Sequence, residues 1–126
     1  MPARSVLIVD DSPAFRKALC EFFTLPGGFE ICGEAENGSE AIEKALLLQP
    51  ALIVTDLSMP LMNGLEETRI LKKLMPAVPI IIYTAHSGPI VEKDGLEAGA
   101  SAVISKSDDL AVLIGKAREL LDRIAA

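Results

Sequence analysis

The sequence lacks the features that mark nucleic-acid-binding, membrane and secreted proteins. Basic residues are in the minority, with 12 lysines and arginines against 18 aspartates and glutamates and a formal net charge of −6. Because binding to a phosphate backbone needs a positive surface, this balance argues against a nucleic-acid-binding module. No apolar run reaches the roughly 18 residues of a membrane-spanning helix, and the apolar run near the N-terminus is too short for a signal peptide. These absences predict a cytoplasmic location.

Cysteines, repeats and linkers are scarce or missing as well. Cys20 and Cys32 stand alone inside apolar segments, which predicts two buried thiols. The chain has no internal repeat, low-complexity stretch or linker, and its 126 residues are the size of one ordinary domain. Half of the residues are hydrophobic, so a chain of this length can bury a core. We therefore expect residues 1–126 to form a single domain.

Short apolar runs rich in branched residues alternate with longer segments of helical periodicity. Unbroken runs of this kind are typical of strands that are buried on both faces of a parallel sheet. A weaker segment, residues 29–35, alternates apolar with polar or small residues, which predicts an edge strand with one covered face. The four buried strands are predicted at residues 6–9, 52–54, 80–83 and 103–104.

Helices are predicted after each of the five strands. The first carries an amphipathic face, with Ser12 placed as its N-cap and Pro13 at its first position. The third is expected from about residue 64 to residue 74, and an apolar stripe from 110 to 124 marks the last. The fourth can start at Ser87-Gly88-Pro89. It is expected to be the least stable, because Gly95 lies inside it and an interior glycine costs about 1 kcal/mol relative to alanine.

This five-fold alternation predicts an α/β fold, a doubly wound five-stranded parallel sheet with helices on both faces. The flavodoxin-like strand order 2-1-3-4-5 suits five strands and places the alternating second strand at an edge. In that order, ligands bind beyond the carboxyl ends of strands 1 and 3, where the strand order reverses.

Polar side chains follow the strands at that rim of the sheet. Strand 1 runs into Asp10 and Asp11, strand 3 into Asp56 and strand 5 into Lys106, while strand 4 ends at Thr84. Each residue by itself has an ordinary explanation as a turn former, an N-cap or a surface residue. Together, three carboxylates, a hydroxyl and an ammonium at one rim predict a functional site.

Three clustered carboxylates need a cation. Two unit charges about 4 Å apart repel by about 4 kcal/mol at an effective dielectric constant of about 20. A few hard oxygen ligands favour Mg²⁺, which keeps several waters and leaves room for a phosphate oxygen. With Lys106 as a further positive charge, such a site can neutralise an incoming phosphoryl group and leave one carboxylate to attack phosphorus.

These residues and their neighbours resemble the receiver domain of two-component response regulators. The resemblance covers essentially the whole chain and rests on five features: Asp10-Asp11, Asp56 followed by Met59-Pro60, Gly64, Thr84-Ala85, and Lys106. Residues 33–38 and 95–100 resemble the subfamily whose members often carry a C-terminal helix-turn-helix domain.

The resemblance implies a role for each site residue. Asp56 would accept a phosphoryl group from a phosphohistidine on a sensor histidine kinase or a histidine phosphotransfer protein. Mg²⁺ would be held by Asp10, Asp11, Asp56 and the backbone carbonyl of Ser58, and the phosphate would be bound by Lys106 and the Thr84 hydroxyl. Phosphorylation would switch the surface of the fourth helix, fifth strand and fifth helix, and so control an output such as a DNA-binding domain.

Other positions are expected to modulate this chemistry. Ala85 is small enough for close approach to the phosphoryl group, and the side chains of Ser58 and His86 can affect the hydrolytic water, although an exposed loop residue is the simpler interpretation of His86. Val103 stands where many receivers carry an aromatic residue that moves inward with the threonine, so an aromatic readout cannot work there. Ser107 replaces a frequent proline and is expected to cap the last helix.

Alternative functions stay open at this point. A stand-alone receiver that shuttles phosphate or binds proteins is compatible with the same residues, and apolar residues on the last two helices allow a homodimer. A phosphatase of the haloacid dehalogenase type uses similar groups, but it carries an Asp-x-Asp signature and a cap segment that are missing here. We expect a switch that promotes its own phosphorylation and dephosphorylation rather than an enzyme.

Overall fold

The computed structural model describes residues 4–86 and 88–125, which form alternating strands and helices. Strands β1–β5 span Ser5–Val9, Glu30–Ala35, Leu52–Thr55, Ile80–Thr84 and Ala102–Ser105; helices α1–α5 span Pro13–Thr24, Gly38–Leu48, Gly64–Leu74, Pro89–Ala98 and Leu110–Ala125. The strands pair in parallel in the order β2-β1-β3-β4-β5. The predicted flavodoxin-like α/β fold and its strand order are confirmed.

The core lies in two layers, one on each face of the sheet. Successive residues of β1 point to opposite faces, so that Ile8 joins the layer under α1 and α5 while Leu7 joins the layer under α2 and α3. Both residues are fully buried. This two-sided burial is why the central strands are unbroken apolar runs in the sequence. In the part of the chain that the structure describes, no helix is both long and apolar enough to cross a membrane.

The predicted starts of α1 and α3 are confirmed, whereas the predicted cap of α5 is not. Ser12 Oγ accepts a hydrogen bond from the Phe15 N–H at 3.2 Å, so Ser12 caps α1 as predicted. The predicted cap at Ser107 is wrong, because α5 begins three residues later and Asp109 Oδ1 accepts from the Ala111 N–H at 2.9 Å. The Ser107 hydroxyl lies 2.7 Å from the Ser105 hydroxyl instead.

Both cysteines are free and only half-buried, which corrects the prediction of two buried thiols. Cys32 lies on the edge strand β2, at an irregularity where the pairing with β1 shifts after Val6. Cys20 lies on α1, and its partial burial raises the pKa of its thiol to about 11. Neither thiol is fully enclosed, because Cys32 belongs to an edge strand and Cys20 packs only partly against the core.

Helix α4 is held to the sheet by little buried surface. Its buried residues are Gly95 and Ala98, and its N-cap, Gly88, offers no side-chain hydrogen bond. A Cβ atom at Gly95 would lie 2.5 Å from Val103 Cγ2, so the missing side chain is what allows α4 to approach β5. The start predicted at Ser87 lies outside the described residues.

Gly95→Ala should therefore destabilise the domain, although alanine is the better helix former. Overpacking against Val103 costs about 1–3 kcal/mol, which outweighs a gain in helix propensity of about 1 kcal/mol. Urea unfolding followed by circular dichroism measures the net change. Gly115→Ala on α5 is the matched control, because nothing lies within 4 Å of a Cβ atom there and the propensity gain should appear alone. Stabilisation by Gly95→Ala would contradict this account of the α4–β5 contact.

Candidate functional site

Three carboxylates meet at the carboxyl ends of β1 and β3. These strands are neighbours, and the Asp56 N–H donates to the Val9 carbonyl at 2.9 Å. One carboxylate oxygen from each of Asp10, Asp11 and Asp56 lies within 4.8 Å of the other two. The side chains of Asp10 and Asp56 are buried, whereas Asp11 is exposed. The predicted acidic cluster therefore exists as a group of two enclosed carboxylates and one open to solvent.

Lys106 brings the positive charge from the end of β5. Its Nζ lies 2.8 Å from Asp10 Oδ2 and 3.5 Å from Asp56 Oδ2, so one ammonium bridges the two buried carboxylates. The ammonium also lies 4.1 Å from the centroid of the Phe15 ring, a cation–π contact with α1. The Lys106 N–H donates to the Thr84 carbonyl at 2.7 Å, which ties the lysine to the end of β4.

The balance of charge leaves the site negative. Burial raises the pKa of Asp56, the Lys106 ammonium lowers it, and the Asp10 carboxylate raises it again. Asp10, Asp11 and Asp56 carry three negative charges when ionised, and Lys106 supplies one positive charge. Closely spaced carboxylate oxygens with excess negative charge are the donors that a hard divalent cation prefers, so these residues fit Mg²⁺.

Main-chain groups orient both buried carboxylates. Asp10 Oδ1 accepts from the Ser12 N–H at 2.9 Å, and Asp56 Oδ1 accepts from the Leu57 N–H at 2.8 Å. Gly64 at the start of α3 lies directly over the phosphoacceptor candidate, because a Cβ atom there would be 2.2 Å from the Asp56 carbonyl oxygen. Ser58 has an exposed side chain, and its carbonyl as a metal ligand stays a prediction.

Arg16 supports the site, a role that no sequence pattern predicted. Its Nη1 donates to the Asp10 carbonyl at 2.7 Å, and its Nε donates to the Glu34 carboxylate at 3.0 Å. The guanidinium thus joins the end of β1 to the end of β2 beside the acidic cluster. An arginine on the first turns of an amphipathic helix is otherwise read as a solvated surface residue.

Thr84 lies at the wall of a small cavity at the end of β4. Its side chain is fully buried, and its Oγ1 accepts from the His86 N–H at 3.0 Å. The cavity, of about 140 Å³, is lined by Thr84, His86, Gly88, Glu92, Val103, Ser105 and Asp108. Ala85 and His86 are exposed, and Val103 is half-buried beneath α4. The three predicted modulating positions other than Ser58, namely Ala85, His86 and Val103, therefore lie near the end of β4.

A buried carboxyl that the sequence analysis missed lies behind the site. Glu67 on α3 and Thr55 on β3 are both fully buried, and their side-chain oxygens Oε1 and Oγ1 lie 2.7 Å apart. Glu67 Oε2 has no hydrogen-bond partner among the described residues. Burial raises the pKa of Glu67 to about 8, an effect that the Thr55 hydrogen bond partly offsets. Its spacing from Gly64 and Leu71, which share the buried face of α3, was the available signal.

This buried carboxyl predicts a pH-dependent stability that Glu67→Gln removes. The pKa of Glu67 rises from 4.5 to about 8 on folding, so the unfolded chain ionises first as the pH rises. Its contribution to stability is complete below pH 4.5 and is lost up to about pH 8, at roughly 1.4 kcal/mol per pH unit.

Urea unfolding of both proteins between pH 5 and pH 8 tests this prediction. The difference in unfolding free energy should change steadily in favour of Glu67→Gln as the pH rises. Glu66→Gln, on the exposed side of the same turn, is the matched control and should show no such trend. Parallel pH profiles for Glu67→Gln and wild type would contradict a neutral Glu67.

Comparisons with known proteins agree with the geometry of the site. The profile of the family described as "Response regulator receiver domain" matches residues 6–118. A protein-glutamate methylesterase/protein-glutamine glutaminase of Pseudomonas aeruginosa is 38% identical over 122 residues, which cover 94% of this chain and 33% of that protein. The chain thus spans about a third of the length of this relative.

Solved structures have the same fold, and this chain covers more of their length than of the methylesterase relative. A two-component response regulator of the LuxR family from Aurantimonas sp. is 30% identical with a TM-score of 0.90, over 94% of this chain and 84% of that one. The CheX–CheY–BeF3–Mg²⁺ complex from Borrelia burgdorferi matches at 28% identity and a TM-score of 0.82, over 97% and 89% of the respective chains.

Proposed function

The chain belongs to the family of response regulator receiver domains, and from this premise we propose that Asp56 is the phosphoacceptor of a two-component signalling switch. The observation that carries the proposal is the placement of Asp56, a buried carboxylate that has an oxygen within 4.8 Å of oxygens of Asp10 and Asp11 and lies 3.5 Å from the Lys106 ammonium. We also propose that residues 1–126 form one receiver domain and that it works in the cytoplasm.

The proposed reaction transfers a phosphoryl group from a phosphohistidine to Asp56. A carboxylate oxygen of Asp56 attacks phosphorus, the P–N bond breaks, and the imidazole leaves with the electron pair and takes up a proton. The donor is a sensor histidine kinase or a histidine phosphotransfer protein. Lys106, already 3.5 Å from Asp56 Oδ2, neutralises the negative charge that arrives with the phosphoryl oxygens.

We propose Mg²⁺ as the cofactor. Asp10, Asp11, Asp56 and the backbone carbonyl of Ser58 would hold it, and when bound it would neutralise the negative charge of the phosphoryl oxygens. Two observations support this proposal: the close carboxylate oxygens of this chain, and the Mg²⁺ in the name of the similar complex from Borrelia burgdorferi.

Incubation with acetyl phosphate and Mg²⁺ should add one phosphoryl group to the chain. Intact mass spectrometry should show a single adduct for wild type, none for Asp56→Asn, and little when EDTA replaces Mg²⁺. The reason is that Asp56 supplies the attacking oxygen and the acidic cluster needs a cation before a phosphoryl group can approach.

Thermal unfolding with and without Mg²⁺ provides the control for this experiment. Bound Mg²⁺ should raise the stability of wild type by about 1.4 kcal/mol at a concentration of tenfold the Kd, and less in Asp11→Asn. A folded, Mg²⁺-binding protein that forms no adduct, or an adduct that persists in Asp56→Asn, would contradict the assignment of Asp56.

The proposed output of phosphorylation is a rearrangement of α4, β5 and α5. The phosphoryl group adds about −1.5 to −2 charges at Asp56, and the Thr84 hydroxyl would leave the His86 N–H to bind it. Helix α4 buries only a glycine and an alanine, Gly95 and Ala98, so its position is the easiest to change. Two conformations that differ by a few kcal/mol are sufficient for such a switch.

Thr84→Ala should separate phosphorylation from switching. The variant should still accept a phosphoryl group at Asp56, because the nucleophile and Lys106 are unchanged, but it should lose the phosphorylation-dependent change in amide hydrogen exchange over residues 86–106. Thr84→Ser keeps the hydroxyl and should retain that change. An unaltered exchange response in Thr84→Ala would show that Thr84 does not couple the two events.

The comparisons support two kinds of output. The relative from Pseudomonas aeruginosa is named as a methylesterase and glutaminase, and the structure from Aurantimonas as a member of the LuxR family. We propose that this chain regulates an output domain or partner, either an enzyme of the methylesterase type or a domain of the LuxR type. We also propose that the chain itself has no methylesterase or glutaminase activity. A role as a stand-alone phosphate shuttle, with a homodimer on phosphorylation, uses the same site, whereas the receiver family match does not favour a haloacid dehalogenase-like phosphatase.

A further inference from the structure

We infer that Glu67 is a positioning residue for phosphoryl transfer at Asp56 and acts through the Thr55 hydroxyl on the main chain of the phosphoacceptor. This inference rests on the proposed role of Asp56. It concerns residues on the side of β3 that faces α3, away from the acidic cluster and Lys106.

The Thr55 hydroxyl lies between two acceptors. Its Oγ1 is 2.7 Å from Glu67 Oε1 and 3.1 Å from the Asp56 carbonyl oxygen. A hydroxyl has one hydrogen, so Thr55 can donate to only one of these groups at a time. All of these side-chain atoms lie in fully buried residues, where an alternative bond to solvent is not offered.

The protonation of Glu67 decides which acceptor Thr55 serves. A neutral Glu67 carboxyl can reverse this bond and donate from Oε1 to Thr55 Oγ1, because its hydrogen would have no partner on Oε2. The Thr55 hydrogen is then free for the Asp56 carbonyl. An ionised Glu67 has no hydrogen to donate and would instead accept the hydrogen bond from the Thr55 hydroxyl. Burial keeps the Glu67 carboxyl neutral at pH 7, since it raises the pKa of this group to about 8.

The Asp56 carbonyl belongs to the peptide plane that holds the attacking carboxylate. The N–H of that same plane, at Leu57, donates to Asp56 Oδ1 at 2.8 Å. Because a peptide unit is planar, a hydrogen bond that fixes its C=O also fixes its N–H. The chain of bonds therefore runs from Glu67 to Thr55, to the peptide plane, and to the Asp56 carboxylate.

Stability alone does not account for Glu67. One of its carboxyl oxygens, Oε2, is buried without a hydrogen-bond partner among the described residues, which costs free energy. Leucine at this position would fill the space beside Leu71 without that cost. Glu67 lowers the stability of the fold and is connected by two hydrogen bonds to the peptide plane between Asp56 and Leu57. Its role in positioning that peptide plane explains its presence.

The test is the initial rate of phosphorylation by acetyl phosphate at saturating Mg²⁺, measured by intact mass. Thr55→Val and Glu67→Leu should each lower the rate roughly three- to tenfold, the range expected for one lost hydrogen bond. Glu67→Gln should stay within about twofold of wild type, because its amide N–H can donate to Thr55 as the neutral carboxyl does.

The neighbouring Thr68 provides a matched control. It is also fully buried on α3, and its hydroxyl has no hydrogen-bond partner among the described residues, so Thr68→Val should leave the rate unchanged. Combining Thr55→Val with Glu67→Leu should slow the reaction no further than either change alone, because both break the same chain of bonds. Circular dichroism and thermal unfolding identify the variants that fold.

Wild-type rates in a folded Thr55→Val, or a Glu67→Gln as slow as Glu67→Leu, would overturn the inference. The inference would also be overturned if the fold-reductions in rate of Thr55→Val and Glu67→Leu multiplied in the double variant. If Glu67→Leu does not fold, the comparison of Thr55→Val with Thr55→Ser tests the inference. Thr55→Ser keeps the hydroxyl and should keep the wild-type rate, whereas Thr55→Val should not. Failure of the proposed function is a different result, namely no Asp56-dependent adduct on wild type.

Discussion

The buried pair Asp10 and Asp56 is the constraint around which the site is built. Because β1 and β3 are adjacent parallel strands, the residues that follow them must lie side by side, and both are carboxylates with little exposure. Like charges in that position are costly in a partly desolvated site. Lys106 from β5 relieves the repulsion, and the Ser12 and Leu57 N–H groups fix one oxygen of each carboxylate.

Close approach of backbones positions the elements that surround this pair. Gly64 brings the start of α3 onto the Asp56 carbonyl, and Gly95 brings α4 onto Val103. The two contacts differ in what supports them. Helix α3 also buries Glu67, Thr68 and Leu71, whereas α4 buries only one further small residue. Helix α3 is therefore firmly packed beside Asp56, whereas α4, which lines the cavity at Thr84, is held by little buried surface. A switch needs one such element whose position can change.

Sequence patterns predicted the fold and the main site residues because these depend on short-range periodicity and on strand order. Unbroken apolar runs located the buried strands, and the residues after them gave Asp10, Asp11, Asp56, Thr84 and Lys106. The missed features depend on contacts between distant elements. Whether a glycine weakens a helix or lets it pack, as Gly95 does, requires the neighbouring strand. The cap of α5 passed to Asp109 because the loop after Lys106 runs on for three residues, a length that local propensity does not set.

The two buried acids Asp56 and Glu67 show how the environment divides roles between carboxyl groups. Asp56 has an ammonium 3.5 Å away, which favours its charged form against the effect of burial. Glu67 has no cation within ion-pair distance among the described residues, and its hydrogen-bond partner is a hydroxyl, so burial dominates and favours the neutral form. The ammonium beside Asp56 supports the carboxylate form that a nucleophile needs, and the neutral form of Glu67 carries the hydrogen that a donor needs. A charge on Glu67 would reverse the direction of the Thr55 hydrogen bond, so the same burial that makes this acid costly for the fold also sets its direction of donation.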